Sequence, residues 1–294
     1  MVAAVGCLLV LATAGKVRAQ DLVARLPDVA PSGPSHPVRA AECWEWHVLP
    51  DGLIYRSYLA GVKEPRLAVA WVHDEQEGWF QEVVLGGRMG LLRYGTSDTR
   101  WPEGWQIDIE GAALPRIDPE ESLDLVSADF RFGVPVTYGR GPYQTKLAYY
   151  HVSSHLGDEL MLKYPEVPRI NYSRDAIVWG HSLYWTEDLR LYAEAAWAFH
   201  FDGGAEPWEF QFGIDYSPAR ATGRQAAPFI AINGHLREEL NFGGNLSLQT
   251  GYMWRGPSGH MFRFGMQYYV GQSDQYEFFN RFENKIGFGI WYDY

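Results

Sequence analysis

From Arg66 to Tyr294 the chain repeats one pattern: apolar and polar side chains alternate over about ten residues, then give way to a turn-rich break. Successive side chains of a strand point to opposite faces, so a period of two describes ribbons with one oily side. Residues 189–202 are the clearest case. Leu189, Leu191, Ala193, Ala195, Trp197, Phe199 and Phe201 share one face, and Arg190, Tyr192, Glu194, His200 and Asp202 mark the other. The alternation recurs through 208–216, 128–138 and 261–268. In the last segment Ile286, Phe288, Ile290, Tyr292 and Tyr294 alternate with Lys285, Gly287, Gly289 and Asp293, and the chain stops on an aromatic. Segments begin near residues 66, 79, 104, 125, 143, 172, 189, 208, 228, 245, 261 and 284, twelve in all.

Each segment has the roughly 9–11 residues that a tilted membrane strand requires, and no apolar run reaches the roughly 18 residues of a membrane helix. Aromatics make up 15% of the chain, with 12 Trp among them, as the interfacial girdles of a membrane barrel demand. The expectation is all-β: an antiparallel transmembrane β-barrel of about twelve strands over residues 66–294, in the bacterial outer membrane. A soluble exported β-binding module is the alternative, because periodicity does not say which face is inside. With Tyr294 at the periplasmic interface, the short turns at 139–142, 186–188 and 255–259 are periplasmic. The longer stretches at 114–124, 155–171 and 271–283 then face outward, whereas 95–103 and 217–227 are long for periplasmic turns.

Residues 1–19 read as a signal peptide: Val2 to Ala14 is apolar, Lys16 and Arg18 follow, and Val17-x-Ala19 offers a small-residue cleavage pattern. Residues 20–65 form an N-terminal extension with an extended linker at Pro31–Pro37. Its aromatic stretch from Trp44 to Tyr58 is expected to be a tethered periplasmic lead-in, with a plug inside the barrel as the alternative. The net charge of −11 becomes more negative by two when the leader's Lys16 and Arg18 are removed. Such an acidic chain, without a basic stripe, excludes nucleic acid as a partner. The exported chain keeps one cysteine, Cys43, so no internal disulfide supports it.

Four stretches, Ser127-Ala-Asp-Phe-Arg-Phe-Gly133, Tyr150-His-Val-Ser-Ser-His-Leu-Gly-Asp-Glu159, Gly203-Gly-Ala-Glu-Pro-Trp-Glu-Phe-Gln-Phe-Gly213 and Asp274-Gln-Tyr-Glu-Phe-Phe279, carry a resemblance to a known family. It is a domain-of-unknown-function family of bacterial exported β-barrel-like proteins, common in planctomycetes. The likeness covers most of the chain after the linker and implies the fold, with no activity attached.

Chemistry concentrates at Tyr149–Glu159. His151-x-Ser153 places a base and a nucleophile on one face of a strand, two residues apart. If 143–155 and 172–185 pair about a centre near residue 163, His151 lies opposite Asp175, with Ser173 or Asn171 opposite it if the register slips. The His-x-Ser pair resembles the outer-membrane phospholipase A and lipid A deacylase barrels. That resemblance implies a lipid-facing site with its third member on the adjacent strand. The usual Asn after the serine is replaced by Ser154. Facing is ambiguous: Leu147 and Tyr149 share the pair's face, but Ala148, Tyr150 and Val152 also make a lipid-compatible one. His155, Asp158 and Glu159 are the metal candidates, with calcium as the ion suited to the carboxylates; His151 and His155, about 13 Å apart on a strand, are too distant to share one.

The leading functional expectation is a structural or small-solute channel barrel whose lumen is filled by inward charges such as Asp108, Asp129, Arg131, Asp215 and Arg263. The alternative is a serine hydrolase of membrane lipid using Ser153, His151 and Asp175. Expected partners are outer-membrane lipid and, through the strand ending at Tyr294, the barrel-assembly machinery; the sequence leaves the oligomeric state open.

Overall fold

The computed structural model describes residues 43–294; the expected signal peptide at 1–19 and the expected linker at Pro31–Pro37 lie outside the described residues. The strands in order are β1 (Glu45–Val48), β2 (Leu67–Asp74), β3 (Gly78–Gly95), β4 (Gly104–Asp118), β5 (Asp124–Arg140), β6 (Tyr143–Leu156), β7 (Ser173–Tyr184), β8 (Leu189–Asp202), β9 (Trp208–Tyr216), β10 (Ala227–Arg237), β11 (Gly243–Arg255), β12 (Met261–Gln272) and β13 (Phe282–Asp293). One short helix, α1 (Asp158–Lys163), lies between β6 and β7. Strands β2 to β13 pair antiparallel with their neighbours, and β13 pairs with β2, so twelve strands close into a barrel without an edge. Each begins within two residues of the start that alternation predicts.

The faces settle what periodicity left open. Leu85, Met89, Leu147, Trp179, Trp197, Phe264, Met266 and Phe288 are exposed on the outside, whereas Arg93, Arg116, Arg237, Arg263, Lys146 and Lys285 are fully buried inside. A soluble protein does not cover itself with so continuous an apolar belt. Aromatic rings cluster near both rims. Trp105 with Tyr138 and Trp254 with Phe262 lie toward the end where Tyr294 stops, and Trp208 with Phe210 and His73 with Trp79 toward the other.

The lead-in expected for the segment before β2 is not what forms. β1 pairs with the Leu92–Gly95 end of β3, beyond Leu85 where β2 begins its pairing, and the chain then turns into the lumen. Leu53, Ile54, Tyr55, Tyr58, Leu59 and Ala60 are all buried there, so residues 49–66 are a plug. An extended segment without strand partners leaves its carbonyls unpaired, and a buried carbonyl must find a donor. Wall arginines supply them. Arg93 donates to Asp51 O and Gly52 O, Arg131 to Lys63 O, Arg190 to Arg56 O and Ser57 O, and Arg263 to Leu59 O. Tyr58 stacks on Tyr192 at 3.8 Å, and Tyr192 fits because a Cβ on Gly213 would stand 2.4 Å from its hydroxyl.

The long stretch after β12 also departs from expectation. It folds inward at the end of the barrel opposite Tyr294, burying Asp274, Tyr276, Glu277 and Phe278. Asp274, Glu82 and Glu283 meet Arg116 and Lys285 at 2.5–2.9 Å, a buried cluster tying the loop to β3, β4 and β13. Burial alone raises the Asp274 carboxyl, but Lys285 and Arg116 outweigh it and hold it well below the usual carboxylate range. Its stabilising contribution is therefore complete at neutral pH and is lost only as pH falls below about 4. The stretch at 114–124 is shorter than expected, because β4 continues its alternation to Asp118 and β5 starts at Asp124.

Two outcomes are expected. Lys285→Met leaves the three carboxylates facing Arg116 alone and lowers stability by about 3–5 kcal/mol, read by urea unfolding from detergent micelles. A chain lacking residues 43–66 conducts ions across planar bilayers, while the full chain does not.

Candidate functional site

On β6 the inward residues are Lys146, Ala148, Tyr150 and Ser154, all buried, while Leu147 is 54% exposed on the outside. His151 and Ser153 share the outer face with Leu147 and Tyr149, so they face away from the lumen. The β6–β7 register places His151 directly opposite Asp175 and Ser153 opposite Ser173. His151 Nδ1 lies 2.9 Å from Asp175 Oδ1, and the Tyr149 hydroxyl donates to the same oxygen at 2.5 Å. The histidine side chain is 41% exposed and the aspartate 19%, so the carboxylate sits beneath and the imidazole above it. An Asp bound to Nδ1 fixes the proton there and leaves Nε2 as the basic atom.

The Ser153 hydroxyl has no hydrogen-bond partner among the described residues, and its Cα lies about 7 Å from that of His151 along the strand. Two features here were not visible to pairwise reading. Tyr149 is a second donor holding Asp175, and its place two residues before His151 on the same face was the available signal. On the other side of Asp175, β8 carries a bulge: Asp175 pairs with His200 and Ala176 with Ala198. Bulges re-aim side chains and recur beside active sites. Asp175 is thus flanked by His151 on one neighbouring strand and His200 on the other.

The metal candidates do not converge. Asp158 and Glu159 occupy the first turn of α1, and His155 Nδ1 is 3.1 Å from the guanidinium of Arg169, a cation that competes with any metal for that nitrogen. The only group of three potential ligands brought together among the described residues is Glu82, Asp274 and Glu283. Arg116 and Lys285 already pair with all three carboxylates. Of the inward charges read from the sequence, Asp108, Asp129, Asp215 and Arg263 are buried in the lumen as expected.

A closed twelve-strand antiparallel barrel, charged within and apolar without, defines an outer-membrane-type β-barrel protein. The chain belongs to the family described as protein of unknown function (DUF1207), whose profile matches residues 24–294. No curated protein matches it. Among solved structures it is similar to the outer membrane phospholipase dimer of Salmonella typhi with bound calcium, at 10% identity and a TM-score of 0.54, over 81% of this chain and 91% of that one. It is also similar to the outer membrane phospholipase A of Escherichia coli, at 10% identity and a TM-score of 0.51, over 79% of this chain and 95% of that one. At such identity the likeness is one of fold.

The Asp175 contact predicts a single His151 tautomer. Nitrogen NMR of the labelled protein in micelles is expected to show the proton on Nδ1, and Asp175→Ala to give a mixture of both tautomers.

Proposed function

We propose that this barrel hydrolyses acyl esters of membrane lipid on its outer face, with Ser153 as nucleophile, His151 as general base and Asp175 as the group that orients the base. The observation that carries the reading is the 2.9 Å contact between His151 Nδ1 and Asp175 Oδ1 on the lipid side, with Ser153 next in the same outward row. His151 Nε2 takes the proton of Ser153 as Oγ adds to the ester carbonyl carbon. The tetrahedral adduct collapses with cleavage of the carbonyl–alkoxy bond, and His151 returns the proton to the departing alcohol. Water, activated by the same nitrogen, then releases the fatty acid and restores Ser153. Ser173, across from Ser153, offers a hydroxyl donor to the developing oxyanion.

Location supports this assignment. Ser153 lies three residues before the end of β6, at the rim away from Tyr294, which is the outer leaflet if Tyr294 marks the periplasmic side. Lipid esters lie at that rim, so the substrate reaches the site by lateral diffusion without entering the lumen. A small-solute channel has less support, since the plug and the inward loop occupy the lumen.

The full chain in detergent micelles is expected to release fatty acid from dispersed diacyl lipid. Ser153→Ala and His151→Ala are expected to lower the rate by about 10³-fold or more. A fluorophosphonate should label Ser153 as read by peptide mass spectrometry. Unchanged release in both variants sinks the assignment and leaves a structural barrel.

A further inference from the structure

Outward of Ser153 the same face continues to His155, and there the loop after α1 brings a cation onto it. The guanidinium of Arg169 hydrogen-bonds His155 Nδ1 at 3.1 Å and Asn171 Oδ1 at 2.8 Å, so it is held in place by neutral acceptors. No carboxylate pairs with it among the described residues. Glu277, which reaches this loop, is buried and already accepts the backbone N–H groups of Ile170 and Asn171. Because the guanidinium only donates, His155 Nδ1 must accept, which puts the imidazole proton on Nε2 as a second outward donor. Arg66, Arg116, Arg263 and Lys285, buried inside the barrel, are met by carboxylates; Arg169 instead stands exposed at the rim.

We propose that Arg169 and His155 form a docking site for the phosphate of a diacyl phospholipid. The inference rests on the lipid-ester reading and deepens it by fixing which part of the substrate lies where. Guanidinium and phosphate match in charge and in geometry. Ser153 and His155 are two residues apart, about 7 Å along the strand, which a tilt of about 40° reduces to about 5 Å along the membrane normal. In a glycerophospholipid a bridge of a few bonds, at about 1.5 Å each, separates phosphorus from the acyl carbonyl by a similar span, on the order of 5 Å. A phosphate on Arg169 therefore sets the ester at the depth of Ser153. Asp158, Glu159 and Glu166 on the same loop are exposed to water, where salt screens their repulsion.

The test uses the full chain carrying Ser153→Ala in nanodiscs, with ether-linked dialkyl phosphatidylethanolamine as probe and the corresponding dialkyl glycerol, which lacks phosphate, as control. Native mass spectrometry is expected to retain the phosphate lipid preferentially. Arg169→Gln should weaken that retention about tenfold without changing the control, and Arg169→Lys should recover part of it. Millimolar inorganic phosphate should not displace the lipid. Equal retention of both lipids, indifference to Arg169→Gln, or displacement by inorganic phosphate overturns the proposal. Hydrolysis by the chain with Ser153 intact separates the two readings. Arg169-dependent retention without hydrolysis upholds the phosphate site while the ester reading fails. Hydrolysis of phospholipid unaffected by Arg169→Gln overturns the phosphate site while the ester reading stands.

Discussion

Buried guanidinium groups hold this molecule closed. A twelve-strand barrel turns one face of every strand inward, and here those faces carry charge. Charges taken from water must be paired, or their cost exceeds what a fold can bear. Part of the pairing is among the wall residues themselves, as between Arg88 and Asp108 at 2.5 Å. The rest requires the plug. Arg93, Arg190 and Arg263 offer more N–H donors than wall carboxylates satisfy, and the extended plug offers carbonyls that no strand satisfies. Each deficit answers the other, which is why a segment without regular structure can be so thoroughly buried.

The inward loop follows the same logic at the opposite end. Asp274 and Glu283 are adjacent to Lys285 and Arg116, and the Asp129 carboxylate receives Lys63 from the plug and the backbone N–H of Tyr276 from the loop. The Lys63 ammonium also lies 5.1 Å from the Tyr276 ring, so plug and loop touch one another through this lysine. The two closures are therefore energetically linked, since removing either leaves Asp129 short of a partner.

Much of this was legible in residue order, for a definite reason. A strand's period of two is a local property, so strand starts and both faces could be read without knowing any neighbour. Pairing two consecutive antiparallel strands needs only the centre of their hairpin, which is why His151 could be set against Asp175. The plug was not legible because a threaded segment has no period, and Tyr55 or Tyr58 looks the same in a lead-in as in a lumen. The loop misled because its partners are far away in sequence: Asp274 meets Arg116, and Glu277 meets the backbone of Ile170 and Asn171. His200 needed a third strand and its bulge, and Arg169 needed the path of a loop; neither leaves a local trace.

The contrast between the two sides of β6 and β7 bears on function more than either side alone. Inside, Ala148, Ala176 and Val178 form a small apolar patch within a lumen otherwise crowded with charge. Outside, in a belt of Phe130, Phe132, Ile177 and Phe199, the same strands carry His151, Ser153 and Asp175. Polar groups on a lipid face are costly by a depth-dependent amount, least near the interface. Packing does not require them there, since an apolar residue at each position would suit hydrocarbon better. Two of the three are hydrogen-bonded to each other, close to the rim, and the hydroxyl of the third has no partner among the described residues. An arrangement that stability alone disfavours, yet that orients a base on the same face as an unpaired hydroxyl, is what the proposed ester chemistry accounts for and the needs of the barrel do not.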